Sequence, residues 1–224
     1  MLNLYRFSTR RCLALRQSAR RAAHQRSNGA NASAELASQW TTQWGRTSLV
    51  NALPFPVRTN SLFGELPVRV GRMSLFAATE ADMPFLRRLF RSVREEELAL
   101  TGWPESAKDA FCNSQFDLQH THYVRHFPQA AFLLVREATD DVGRLYVDAS
   151  SSNVHIIDIS LLPHRRNEGA GTALLKHCKH HAEGQGKPLS LQVERNNIRA
   201  QRLYQRLGFT VMDTNQTHIA MRWS

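Results

Sequence analysis

The stretch that most limits how this chain can fold begins as an apolar run, Val154-His155-Ile156-Ile157-Asp158-Ile159-Ser160-Leu161-Leu162-Pro163. It passes through Arg166-Asn167-Glu168-Gly169-Ala170-Gly171-Thr172 into a helix-like segment. A strand, a glycine-bearing turn and a helix start in that order bring a helix N-terminus to the end of a buried strand. The first-turn N–H groups of such a helix have no carbonyl partner, and glycines leave room above them, so the turn is built like a cradle for an anion. Asparagine is the non-glycine residue that best tolerates a left-handed backbone, so Asn167 is compatible with a tight turn there.

A second segment follows, Leu189-Ser190-Leu191-Gln192-Val193-Glu194 and then Asn197-Ile198-Arg199-Ala200-Gln201-Arg202-Leu203-Tyr204-Gln205-Arg206-Leu207-Gly208-Phe209. Ala200, Leu203, Tyr204 and Leu207 form one helical stripe, Asn196 or Asn197 can cap its start, and Gly208 is placed as its left-handed terminator. The two segments together resemble the GNAT superfamily of acyl-CoA-dependent N-acyltransferases. Its Gln/Arg-x-x-Gly-x-Gly/Ala signature falls on Arg166, Gly169 and Gly171, and its Asn-x-x-Ala-x-x-x-Tyr with Gly-Phe falls on Asn197, Ala200, Tyr204, Gly208 and Phe209. Many members have glycine where this chain has Asn167. The resemblance runs more loosely from about Met73 to Ser224.

The resemblance implies an α/β (α+β) fold, a mixed and largely antiparallel sheet with helices on both faces, splayed beside its fourth strand. It implies acetyl-CoA as co-substrate and a primary amine as acceptor. Contacts to the cofactor would come from Leu161, Leu162, Arg166, Asn167, Gly169, Ala170, Gly171, Thr172, Asn197 and Ala200, with backbone near Leu161 and Leu162 supplying a donor to the thioester carbonyl. Tyr204 matches the family's usual general acid; read from spacing alone it is a core aromatic. His164 and Arg165 are weaker candidates for the charge assigned to Arg166.

Asp158 is a carboxylate inside an apolar strand, and strict alternation puts it on the face of Ile156 and Ser160. It is either a base acting through water, a binder of the acceptor ammonium, or a structural, hydrogen-bonded aspartate. Glu95-Glu96-Glu97 reads as the close of a helix, where carboxylates oppose the macrodipole. In relatives this region lines the acceptor site, so Glu96 and Glu97 are candidates to meet a cationic acceptor with Trp103 stacked nearby. His177 and His181 stand four apart, a chelating spacing, but no third ligand is identifiable and no metal is expected.

The charge is uneven. Residues 1–72 hold 11 arginines, no lysine and two acids, whereas residues 73–224 hold 18 basic and 17 acidic residues, so the high pI belongs to the tail and argues nothing about what the rest binds. The expected division is an Arg-rich, disordered extension and linker over 1–72 and a catalytic domain over 73–224. Residues 1–34, with seven arginines and no acid before Glu35, fit an organellar transit peptide, a disordered arm or an upstream extension before a start at Met73. No run approaches a membrane span, so a soluble protein is expected, cytoplasmic or in an organellar matrix. Three cysteines without metal-like spacing fit a reducing compartment. A homodimer is compatible with the reading. The rivals are a non-catalytic CoA-binding module of the same fold and, less expected, a nucleic-acid binder in which residues 1–26 of the basic arm carry the function.

Overall fold

The computed structural model describes residues 52–56, 60–61 and 63–224, and the expectations for the Arg-rich arm lie outside them. The described residues fall into two compact units, one built on Phe90–Tyr123, the other on the described parts of Pro54–Leu89 and on Val124–Ser224.

The second unit carries an eight-stranded sheet in the order β3-β4-β5-β6-β7-β8-β10-β9, beside a small hairpin of β1 (Asn60–Ser61) and β2 (Gly64–Glu65). The strands are β3 (Val68–Val70), β4 (Met73–Ala77), β5 (Ala131–Glu137), β6 (Asp140–Asp148), β7 (Val154–Leu161), β8 (Leu189–Glu194), β9 (Thr210–Thr214) and β10 (His218–Trp223). Every neighbouring pair is antiparallel except β7 and β8. That one parallel pair requires a crossover, and helix α4 (Ala170–Gly184) supplies it. Helix α5 (Ile198–Arg206) connects β8 to β9, with β10 between them in the sheet.

Burial follows period and face. Leu174, Leu175, Cys178 and Ala182 of α4 and Tyr204 of α5 share one core with Val154, Ile156 and Leu161 of β7 and Leu189, Leu191 and Val193 of β8. Each fully buried aliphatic side chain contributes about 1.5–3 kcal/mol relative to exposure, which fixes these two helices on this face. Elsewhere on the sheet, Phe132 and Tyr146 are cross-strand partners with ring centroids 4.9 Å apart, and Phe55 packs on Phe132 at 5.6 Å.

Two expectations change. The boundary at Met73 cuts through an edge hairpin, because β3 precedes it and pairs with β4 through Val68↔Leu75 to Val70↔Met73. Phe63 and Val70, in the stretch read as linker, are core residues, apolar anchors too widely spaced to register as a period. The alternation along β7 is also broken. Tyr146 opposes Asp158 but Val147 opposes Ile156, so Ile157 is an extra residue, a β-bulge. Ile156 therefore faces the helix-covered core while Asp158 turns to the opposite face with Ser160.

In the first unit, α1 (Met83–Ser92), which begins in the sheet-bearing unit behind a short 3-10 turn whose Asp82 accepts the Thr79 N–H at 2.8 Å, comes to its end. A separate short helix, α2 (Glu95–Ala99), follows, and then α3 (Glu105–His126), whose last three residues return to the sheet-bearing unit. Glu95, Glu96 and Glu97 thus open a helix rather than close one. Carboxylates in a first turn are favoured by the macrodipole, so the expected conflict does not arise. In α3 the buried positions include Cys112, Phe116 and His120, while Leu118 is exposed.

Candidate functional site

The parallel ladder between β7 and β8 covers only Val154↔Leu189 to Ile156↔Leu191. Beyond the bulge at Ile157, β7 keeps its partner β6 as far as Leu161↔Gly143, but on its other side it leaves β8 behind. The Leu162 N–H donates to the Val142 carbonyl at 2.9 Å. Backbone groups alternate sides in an antiparallel pair, so Ser160 and Leu162 face β6 while Ile159 and Leu161 turn theirs to the open edge. Of the two residues, Leu162 has its N–H committed to β6, while Leu161 has its N–H turned to the open edge.

The open edge ends at the cradle. Asn167 has φ 69° and Gly169 φ 84°, left-handed values that asparagine tolerates and glycine adopts freely. Gly169 is the N-cap of α4 and no side chain caps it. The first helical bond is Ala173 N–H to Gly169 O at 2.9 Å, so the N–H groups of Ala170, Gly171 and Thr172 stand ahead of the ladder. Gly171 has ordinary helical φ, and a Cβ there would meet only Leu161 Cδ1 and Leu203 Cδ2, both at 3.9 Å. Protein packing therefore does not demand glycine at that position. What its absent side chain preserves is space over the helix end.

Charges around the turn are paired. Arg166 Nε donates to the Leu161 carbonyl at 2.9 Å, tying the turn to the end of β7. Arg165 lies 3.2 Å from Glu137 and 3.8 Å from Glu168, and Arg72 bridges the same two acids. Glu168, the one carboxylate within the turn, is thus offset by two guanidiniums, and His164 is exposed.

Tyr204 is 7% exposed, its ring 5.8 Å from that of Phe209. Burial pushes its phenol up to about 12, and the charge of Asp158 acts in the same direction. The ordinary phenol value near 10 is therefore exceeded, and the group stays protonated through neutral pH. Asn197 accepts the Ala200 N–H on its side-chain oxygen at 3.1 Å, so one first-turn N–H of α5 is met by its own cap.

Asp158 has partners the sequence did not disclose. Arg144 on β6 grips it with Nε to Oδ1 at 3.0 Å and Nη2 to Oδ2 at 2.8 Å, and Ser160 Oγ donates to Oδ1 at 2.7 Å. The Arg144 guanidinium also lies 5.1 Å from the ring centroid of Tyr146. The missed signal was an arginine between Gly143 and Leu145, the one charge in the stretch 142–147, the same anomaly that singled out Asp158.

These features, a strand parting from its parallel neighbour beside an uncapped, glycine-bearing helix start, are matched by what the chain resembles. The model of the acetyltransferase (GNAT) family matches residues 86–209. The chain belongs to this family. It is 33% identical over 100 residues to the uncharacterized N-acetyltransferase YhfO of Bacillus subtilis (strain 168), a match spanning 42% of this chain and 66% of that protein. In fold it is similar to PaiA N-acetyltransferase from Thermoplasma acidophilum, solved in complex with coenzyme A (TM-score 0.53, 16% identity, 67% of this chain and 97% of that one). It is similar as well to an acetyltransferase from Thermus thermophilus (TM-score 0.51, 19% identity, 70% and 99%).

The remaining GNAT-suggested residues lie in the other unit. Glu96 is exposed and Glu97 half-buried in the first turn of α2. Trp103 is 9% exposed and packs edge-on against Phe111 at 5.7 Å, which makes it a wall rather than a free stacking face. Below them Arg91 gathers Glu95, Glu105 and Asp109. On α4 the rings of His177 and His181 both pack on Phe63, at 4.7 and 5.1 Å. No group of three or more His, Cys, Asp or Glu able to hold a metal occurs among the described residues. Burial pushes the Cys112 and Cys178 thiols up to about 11 and about 12, so neither is poised as a nucleophile. No described helix is long and apolar enough to cross a membrane.

Proposed function

We propose that the chain transfers an acetyl group from acetyl-CoA to a primary amine. The observation that carries this reading is the parting of β7 from β8 beside the uncapped start of α4. A pantetheine arm could add to the free edge of β7 as an extra strand, with its diphosphate over the N–H groups of Ala170, Gly171 and Thr172. Arg166, Asn167 and Gly169 would shape that end, and Asn197 and Ala200 would flank it from α5.

Acyl transfer to an amine needs a polarised thioester carbonyl, a neutral amine and a proton for the departing thiolate. In this reading the Leu161 N–H faces the carbonyl and Tyr204, kept protonated by burial, donates to the sulfur. Asp158 serves the acceptor side, as a base through water or as an anchor for the ammonium, and the family resemblance alone makes Glu96, Glu97 and Trp103 of the other unit candidates to meet a cationic acceptor. The compartment we propose is the cytoplasm, or an organellar matrix if residues 1–34 direct import, and a homodimer remains compatible.

The test is an amine-library screen with acetyl-CoA, read by CoA release and product mass. Turnover of at least one primary amine is expected. CoA binding without turnover of any amine would leave a binding module, and undetectable CoA binding at millimolar ligand would remove the reading altogether.

A further inference from the structure

Arg144 is 3% exposed on a strand whose neighbours are Val142, Gly143, Leu145, Tyr146 and Val147. Stability alone does not ask for it. A buried ion pair is matched or bettered by apolar residues of similar volume, because desolvating two charges offsets most of their attraction. Its geometry is nonetheless specific. Ser160 is the direct cross-strand partner of Arg144, and Tyr146 is that of Asp158, so the guanidinium reaches diagonally to bond both carboxylate oxygens. The bulge at Ile157 brings Asp158 to this face. Asp158 also lies past the end of the parallel ladder, on the segment of β7 whose far edge is open.

We propose that Arg144 is a positioning residue for the acyl transfer described above, a two-point clamp that orients the Asp158 carboxylate beside the parted strands. Two of its nitrogens hold the two carboxylate oxygens in one plane, and the Ser160 hydroxyl adds a bond to Oδ1. Removing the guanidinium takes away both bonds of the fork and lets the carboxylate turn about its own axis. Lysine at the position would keep the charge and lose the fork.

The experiment uses the full chain with Arg144→Met and Arg144→Lys. CoA calorimetry and thermal melting report on folding. Turnover is followed with acetyl-CoA and the best amine of the screen, and the Asp158 carboxyl resonance is followed by carbon-13 NMR, assigned with Asp158→Asn. In Arg144→Met kcat is expected to fall by about a hundredfold and the Asp158 resonance to move, with CoA affinity within about threefold of native. Arg144→Lys is expected to keep that affinity with a kcat lower by about tenfold, because the charge stays and the fork is lost. A folded Arg144→Met with native kcat overturns the clamp. If that variant does not fold, native kcat in Arg144→Lys overturns it. Should no amine be turned over by the native protein, the acyl-transfer reading fails, and an unmoved Asp158 resonance in either folded variant still overturns the clamp.

Discussion

The sheet has two strand-to-helix turns on the side of its parallel pair, β7 into α4 and β8 into α5, and they end differently. At α5 the Asn197 side chain takes the Ala200 N–H, and the Gln201 side chain donates to the Glu194 and Arg195 carbonyls at 3.0 and 2.9 Å. At α4 left-handed Asn167 leads to an N-cap, Gly169, that is itself left-handed and has no side-chain cap at all. At α5 one first-turn N–H is taken by a side chain; at α4 none is, and that bare end lies where β7 has lost its parallel partner. A fold spends side chains on closing the helix ends it needs for stability, so an end left open beside an open strand edge is the place to look for a ligand.

The sharpest way to break this contrast is Gly171→Glu. The fold has room for a side chain there, with nearest atoms at 3.9 Å, so the variant should melt near the native temperature. Its carboxylate would sit where we place the diphosphate, and CoA affinity should fall on the order of a hundredfold or more by calorimetry. Native affinity in that variant would mean that the open end of α4 is not the anion site.

Tyr204→Phe comes next. It keeps the ring against Phe209 and removes the proton, so turnover should drop on the order of ten- to a thousandfold with CoA affinity unchanged. Because burial pushes the phenol up to about 12, the native rate should show no alkaline loss from this group below about pH 11. An alkaline limb near pH 10 that vanishes in Tyr204→Phe would show the phenol to be more solvated than its burial implies. Equal turnover of the two proteins, where chemistry limits the rate, would leave Tyr204 as packing.

What the sequence disclosed follows from how local each signal is. Asn167, Gly169 and Gly208 announce left-handed backbone through their own side chains, and all three adopt it. β8 begins and ends where its alternation does. Arg144 stayed hidden because a clamp across strands depends on register, and the register depends on a bulge that no composition marks. The placement of β10 between β8 and β9 is likewise a matter of pairing rather than pattern. Glu95–Glu97 misled because a two-residue break, Val93-Arg94, separates α1 from α2, too short to interrupt a helical reading.

The two helices differ also in what covers them, and a smaller effect tests that. Phe63, from the stretch expected to be linker, packs on His177 and His181 of α4, and nothing comparable from that stretch meets α5 among the described contacts. A chain starting at Met73 loses Phe63, Val70 and β3, which should lower stability by about 2–4 kcal/mol. Hydrogen exchange should quicken in α4 more than in α5. Equal loss of protection in both helices would show the edge hairpin to support the sheet as a whole.

The mildest perturbation addresses the closed turn itself. Asn197→Ala removes the oxygen that caps α5 and should cost about 1 kcal/mol, read by chemical denaturation, because one first-turn N–H loses its acceptor while water partly replaces it. If Asn197 is only a cap, CoA affinity should change far less than in Gly171→Glu, within about threefold. The family resemblance also makes Asn197 a cofactor contact, and the two roles separate cleanly. A tenfold or greater loss of CoA affinity with stability intact would mean that the amide serves the ligand more than the helix. The contrast between an open and a closed turn would then become one between two turns that share a single bound molecule.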